Sequence, residues 1–167
     1  MSKLLSRLFC LTILVYSCSD KPKIDNDLIY STLNDIILQD SILARVVCNK
    51  FDQVTIPDDI QKEFFSSDKK FIQDQIKNSS NAKMDTGRLY FYSRRKKELV
   101  KSFIDTTCSI NIFYRLTYPV FSKDLQTVVV GVTEDCNCML GGWGFEAVYK
   151  RQKGKWTRVK KYDNWIS

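Results

Sequence analysis

The sequence predicts an α+β domain in which N-terminal helices precede an antiparallel β-meander. Three observations carry that prediction. In the first half, Leu28, Ile29, Leu33, Ile36 and Ile37 recur at the spacing of one helical face. From about residue 110 the period shortens to two, with Ile110, Ile112, Tyr114, Leu116 and Tyr118 alternating with Asn111, Phe113, Arg115 and Thr117. Turn signals at Ser122-Lys123-Asp124 and Lys153-Gly154-Lys155 then punctuate the remaining apolar runs.

The elements follow in order. Asp25 or Asn26 can cap a first helix that ends near Gln39. Ala44-Arg45-Val46-Val47-Cys48 is β-branched and reads as a short strand. Pro57 suits the start of a helix, with Asp58 and Asp59 in its first turn and Ile60, Phe64 and Phe65 inward. Ser66 or Ser67 can cap another helix that buries Phe71, Ile72 and Ile76 and stops in the polar run Asn78-Ser79-Ser80-Asn81. Leu99, Val100, Phe103 and Ile104 fall at helical spacing.

In the second half, Pro119 limits the end of the alternating strand to an edge or bulge. The strand from Leu125 to Thr133 contains Val128-Val129-Val130, apolar on both faces, which marks it as central. Cys136 to Gly144 reads as a loop, Phe145 to Arg151 as a strand, and Trp156 to Tyr162 as its hairpin partner. The helices should cover one face of this sheet. The order of elements resembles cystatin-like and NTF2-like folds, a likeness of arrangement that implies no activity.

Composition fits a folded chain. Hydrophobic residues make up 44% of 167 residues and aromatics 13%, weights that disordered segments do not carry. Net charge is +7, of which Lys3 and Arg7 supply two. This modest excess favours anionic headgroups or acidic glycans as partners and is too small to imply nucleic acid. There is no histidine. That absence excludes Ser-His-Asp triads, Cys-His pairs, His-ligated zinc and histidine pH switches. The sequence contains no phosphate loop, metalloprotease helix or nucleophile elbow, and it implies no cofactor.

The first 17 residues have the form of a signal peptide. Lys3 and Arg7 are followed by the apolar run Leu8 to Val15, roughly half the ~20 residues needed to cross a bilayer. Leu14-Val15-Tyr16-Ser17-Cys18 places a small residue before a cysteine and resembles the lipobox of bacterial lipoproteins. The resemblance implies that Cys18 takes a diacylglycerol and becomes the acylated N-terminus, anchored to a bacterial membrane, the outer one by expectation. Residues 1–17 are thus read as signal peptide, 18–26 as a lipidated tether and 27–167 as one α+β domain. The stretch from Leu116 to Ser167 is similar to small uncharacterised Bacteroidetes lipoproteins. The likeness rests on Tyr118-Pro119-Val120-Phe121-Ser122, the Cys- and Gly-rich loop, Gly154-Lys155-Trp156 and Trp165-Ile166-Ser167. It implies no activity.

Three groups are candidates for function. Cys48, Cys108, Cys136 and Cys138 form an even set in an oxidising compartment and are read first as disulfides of undetermined pairing. The sharper alternative makes Cys136-Asn137-Cys138 a redox or soft-metal site. The loop carrying Glu134, Asp135, Asn137 and Trp143 is a candidate binding loop, weighed against a tied hairpin with Trp143 packed on the sheet. Arg94-Arg95-Lys96-Lys97 could meet an anionic surface, against the plainer reading of a solvated loop. The leading expectation is a lipid-anchored, non-catalytic envelope module with a protein or glycan partner. A small envelope enzyme with a pocket between sheet and helices is the alternative, and a thiol redox or metal protein the third.

Overall fold

The computed structural model describes residues 21–42, 45–79, 82–85, 87–93, 98–108, 112–136 and 141–166. Among them are helices α1 (Asn26–Gln39), α2 (Asp58–Phe64) and α3 (Lys69–Ser79). The strands are β1 (Val46–Asp52), β2 (Tyr90–Ser93), β3 (Glu98–Lys101), β4 (Phe103–Asp105), β5 (Ile112–Thr117) and β6 (Val120–Phe121). They continue with β7 (Thr127–Cys136), β8 (Trp143–Gln152) and β9 (Lys155–Ile166). The main sheet runs in the order β4-β1-β5-β7-β8-β9, with β6 also paired to β7, while β2 and β3 form a separate antiparallel pair.

The fold is α+β with a mostly antiparallel sheet, as expected, but three features depart from the sequence reading. First, β1 lies parallel between β4 and β5. A parallel neighbour needs a long crossover, which no local pattern announces. Second, the stretch read as helical around Leu99 to Ile104 is extended: β3 pairs with β2 and β4 pairs with β1. Third, the helices cover both faces. On one face, Ile29, Leu33, Ile36 and Ile37 of α1 pack with Val128, Val130, Val132, Ala147 and Tyr149. On the other, Ile60, Phe65 and Ile72 of the α2 and α3 region pack with Val120, Val129 and Val148. The unbroken valine run of β7 is the direct consequence, since each of its faces meets a helical layer. Burying each of these aliphatic side chains is worth about 1.5–3 kcal/mol.

Local chemistry sets the helix boundaries. The Asp25 carboxylate accepts the Leu28 N–H at 3.0 Å and caps α1. Pro57 precedes α2, whose first turn holds Asp58 and Asp59, favourable at the positive end of the helix dipole. Buried Gln75 fastens α3 to the sheet: its amide nitrogen donates to the Phe121 carbonyl at 2.7 Å and its oxygen accepts the Phe121 N–H at 2.9 Å. The β8–β9 hairpin turns through Lys153 and Gly154, both at positive φ (50° and 79°), the two-residue geometry that matches strand twist.

Candidate functional site

Past the valines under α2 and α3, the same face of the sheet becomes polar. One cross-strand row reads Asp52, Thr117, Gly131, Glu146, Tyr162. The next reads Arg115, Thr133, Gly144, Trp165. These rows bring Asp52, Arg115 and Glu146, all partly buried, onto one face of the sheet.

Glu146 is the centre of the first row. Its Oε1 accepts the Thr55 N–H at 3.1 Å, while Oε2 is buried with no hydrogen bond of normal geometry. Burial pushes its carboxyl up to about 7, with the nearby Asp163 charge adding to the rise and the Thr55 N–H opposing it. The Tyr162 hydroxyl donates to the Thr55 carbonyl at 3.3 Å, and burial, then the Glu146 charge, raise that phenol far above its ordinary range. Thr55 and Tyr162 also line a shallow hollow of about 330 Å³ with Pro57, Asp59, Ile60 and Asp163.

Two glycines shape the surface. A Cβ on Gly131 would stand 2.6 Å from Thr117 Cγ2 and 3.1 Å from Glu146 Cγ, so the absence of a side chain lets these two close over the strand. A Cβ on Gly144 would stand 2.6 Å from Trp165 Nε1 and 3.0 Å from Thr133 Oγ1. The indole of Trp165 therefore lies against bare backbone, and 40% of the residue remains exposed. At the other end of this row, on β5, Arg115 bridges two carboxylates, with Nε 3.3 Å from Asp135 and Nη1 3.7 Å from Asp52. Burial raises the Asp52 carboxyl against the opposing pull of Arg115.

The residues singled out from sequence separate across the sheet. Glu134 and Asp135 lie on β7 and Trp143 opens β8, so they are strand residues rather than loop residues as expected. Both strands run further than their alternating pattern suggested, because their ladder continues to the Glu134–Trp143 pair. Successive strand residues point to opposite faces. Asp135 thus reaches Arg115, while Glu134 accepts a hydrogen bond from the Tyr114 hydroxyl on the α1 side. Trp143 is half-buried there, stacked on Phe145 (5.8 Å, 9°) and edge-on to Tyr114 (6.2 Å). It packs on the core and is not a free aromatic platform.

Cys48 and Cys108 form a disulfide with a Cα–Cα distance of 5.1 Å. Cys136 is also disulfide-bonded. Cys18, Cys138, Asn137 and Arg94, Arg95, Lys96 and Lys97 lie outside the described residues. Among those described, no group of three or more His, Cys, Asp or Glu side chains is placed to hold a metal ion. No described helix is long and apolar enough to cross a membrane.

Sequence reasoning missed Glu146, Thr55, Tyr162 and Trp165. One signal was present for Glu146. It alternates with Val148 on a strand whose other face carries Phe145, Ala147 and Tyr149, which puts a charge in line with a buried valine. Comparisons of the chain with protein-family models, with curated proteins and with solved structures found no match.

Proposed function

We propose that the chain is a lipid-anchored protein of the bacterial cell envelope, held on the outer membrane through Cys18, and that it acts as a non-catalytic module binding a glycan. The leader and Ser17-Cys18 support the address, as does the likeness of Leu116 to Ser167 to small Bacteroidetes lipoproteins. The Cys48–Cys108 disulfide suits an oxidising compartment. The packing of α1 across the antiparallel strands supports the finer likeness to cystatin-like and NTF2-like folds, with α2 and α3 as additions on the second face.

One observation carries the glycan reading. Trp165 lies on Gly144 with an exposed surface, and further along the same face of the sheet Arg115 on β5 pairs with Asp135 on β7 and Asp52 on β1. An amphipathic aromatic surface suits the apolar face of a sugar ring, while carboxylates accept from its hydroxyls and a guanidinium donates to them. Calorimetric titration with chitotetraose, cellotetraose and maltotetraose tests this. One of them should bind, and Trp165→Ala should weaken it about tenfold or more, a loss expected of an aromatic anchor. Gly144→Ala should act in the same direction by displacing the indole. If none of the three binds, or if Trp165→Ala binds as the native protein does, the reading fails.

A second reading has its own support. A carboxyl with a pKa near 7, beside a hollow, has the character of a general acid, which favours a small envelope enzyme with Glu146 as its proton donor. Hydrolysis of any of these oligosaccharides, abolished by Glu146→Gln, would replace the binding module with an enzyme. The soft-metal reading of Cys136-Asn137-Cys138 has less behind it, because Cys136 is disulfide-bonded and a disulfide sulfur is not a thiolate ligand.

A further inference from the structure

The described chain begins at Lys21, which stands beside α3: its Nζ forms an exposed ion pair with Asp74 Oδ2 at 3.1 Å. Cys18 stands three residues earlier in the sequence. Three extended residues reach at most about 10 Å. A lipid on Cys18 would therefore hold the start of α3 against the bilayer.

The surface there is built from three separate segments. Lys21 from the tether, Lys70 from α3 and Lys123 from the turn between β6 and β7 line a hollow of about 170 Å³ with Ser67, Asp68 and Phe71. Asp68 is the one acid of this lining, and among the described residues its oxygens accept only from neutral donors, while Lys21 is already paired with Asp74, so the free cations of the hollow are Lys70 and Lys123. Oδ2 accepts the Lys123 N–H at 2.8 Å and Oδ1 accepts the Ser67 hydroxyl at 3.1 Å. Lys70 and Lys123 are exposed, and among the described residues their ammonium groups make no ion pair. Half-buried Phe71 adds an apolar edge.

We propose that this lysine hollow docks on the phosphate headgroups of an anionic bilayer and sets the orientation of the domain on its membrane. The proposal rests on the lipid-anchored reading and adds to it a membrane-facing side. Thr127 stands near Lys123, and Thr133 lies six residues on, about 20 Å along β7. The polar rows with Trp165 lie at that far end of β7, away from the lysine hollow.

The test uses the protein purified with its native N-terminus and reconstituted in two vesicle types, phosphatidylcholine alone and phosphatidylcholine mixed with phosphatidylglycerol. Amide hydrogen exchange at residues 67–71 and 121–124 is compared between them, after mass spectrometry of the N-terminus. Docking should slow exchange in the anionic vesicles only. Lys70→Ser and Lys123→Ser should each reduce that protection about fivefold, the effect of roughly one surface lysine at an anionic membrane. A Cys18 diacylglycerol adduct with equal exchange in both vesicle types overturns the docking and leaves the anchor standing. A native N-terminus without the adduct overturns the anchor and the docking with it. Protection that both serine variants retain in full also overturns the docking.

Discussion

The Tyr149 hydroxyl donates a 2.6 Å hydrogen bond to Asp40 Oδ2, joining the middle of β8 to the residue that ends α1. Arg158 Nη1 reaches the same oxygen at 3.1 Å. Burial first, then the Asp40 charge, push the phenol far above its usual range, so it stays protonated and remains a donor. Tyr149→Phe keeps the buried ring and leaves Asp40, whose side chain is 10% exposed, with Arg158 alone. We expect a loss of about 1–2 kcal/mol, read as a lower urea midpoint with an unchanged slope. A variant within a few tenths of a kcal/mol of native would show that Arg158 suffices.

Glu146 should make stability depend on pH in an unusual direction. Its folded pKa, about 7, lies above the ordinary 4.5, so between these values the folded state holds a proton that the unfolded state has lost. Its contribution is therefore fully present below about pH 4.5, declines as pH rises, and is gone above about pH 7. Because the group is partly solvated, the loss is discounted to on the order of 1 kcal/mol. Glu146→Gln keeps an oxygen for the Thr55 N–H. It should flatten the pH dependence between 5 and 7 and stabilise the protein at pH 8 by a similar amount, in paired denaturation curves. An unchanged slope would mean that the carboxyl titrates normally.

The Cys48–Cys108 bridge spans 60 residues of sequence and connects β1 to the segment after β4. Closing a loop of that size restricts the unfolded chain by about 4 kcal/mol on the chain-entropy view. Replacing both cysteines with alanine should cost about 2–4 kcal/mol, since Cys48 is also buried. Thermal unfolding of the double variant beside the native protein checks it. A native-like midpoint would show that the segment is held by packing alone.

Much of the fold was legible because its signals are local. Asp25 with the apolar spacing behind it gives α1, Pro57 with two aspartates gives α2, and Lys153-Gly154 gives the last hairpin. The illegible parts depend on partners distant in sequence. Val100 belongs to a strand because Phe91 lies opposite it, and the spacing around it suits either period equally well. Likewise β1 owes its parallel setting to β4 and β5, which come 50 or more residues later.

The candidate site was less legible for the same reason. Asp52, Arg115, Glu146 and Trp165 come from four strands, and each has an ordinary neighbourhood in the chain. Their meeting is a property of register. Asp135 was singled out beside Glu134, and the pleat sends the two to opposite sides. The loop reading of Trp143 failed because the ladder between β7 and β8 extends to it, where Tyr114 and Phe145 hold its ring.

The parallel placement of β1 makes the two halves of the chain inseparable. A fragment beginning near residue 110 would keep β5 through β9 and strip the neighbour from one whole side of β5. Its bare amide and carbonyl groups would seek another strand, and such a fragment should clump or trade segments with its copies. Anyone trimming this protein for study must keep residues 46–52, however dispensable the first half looks.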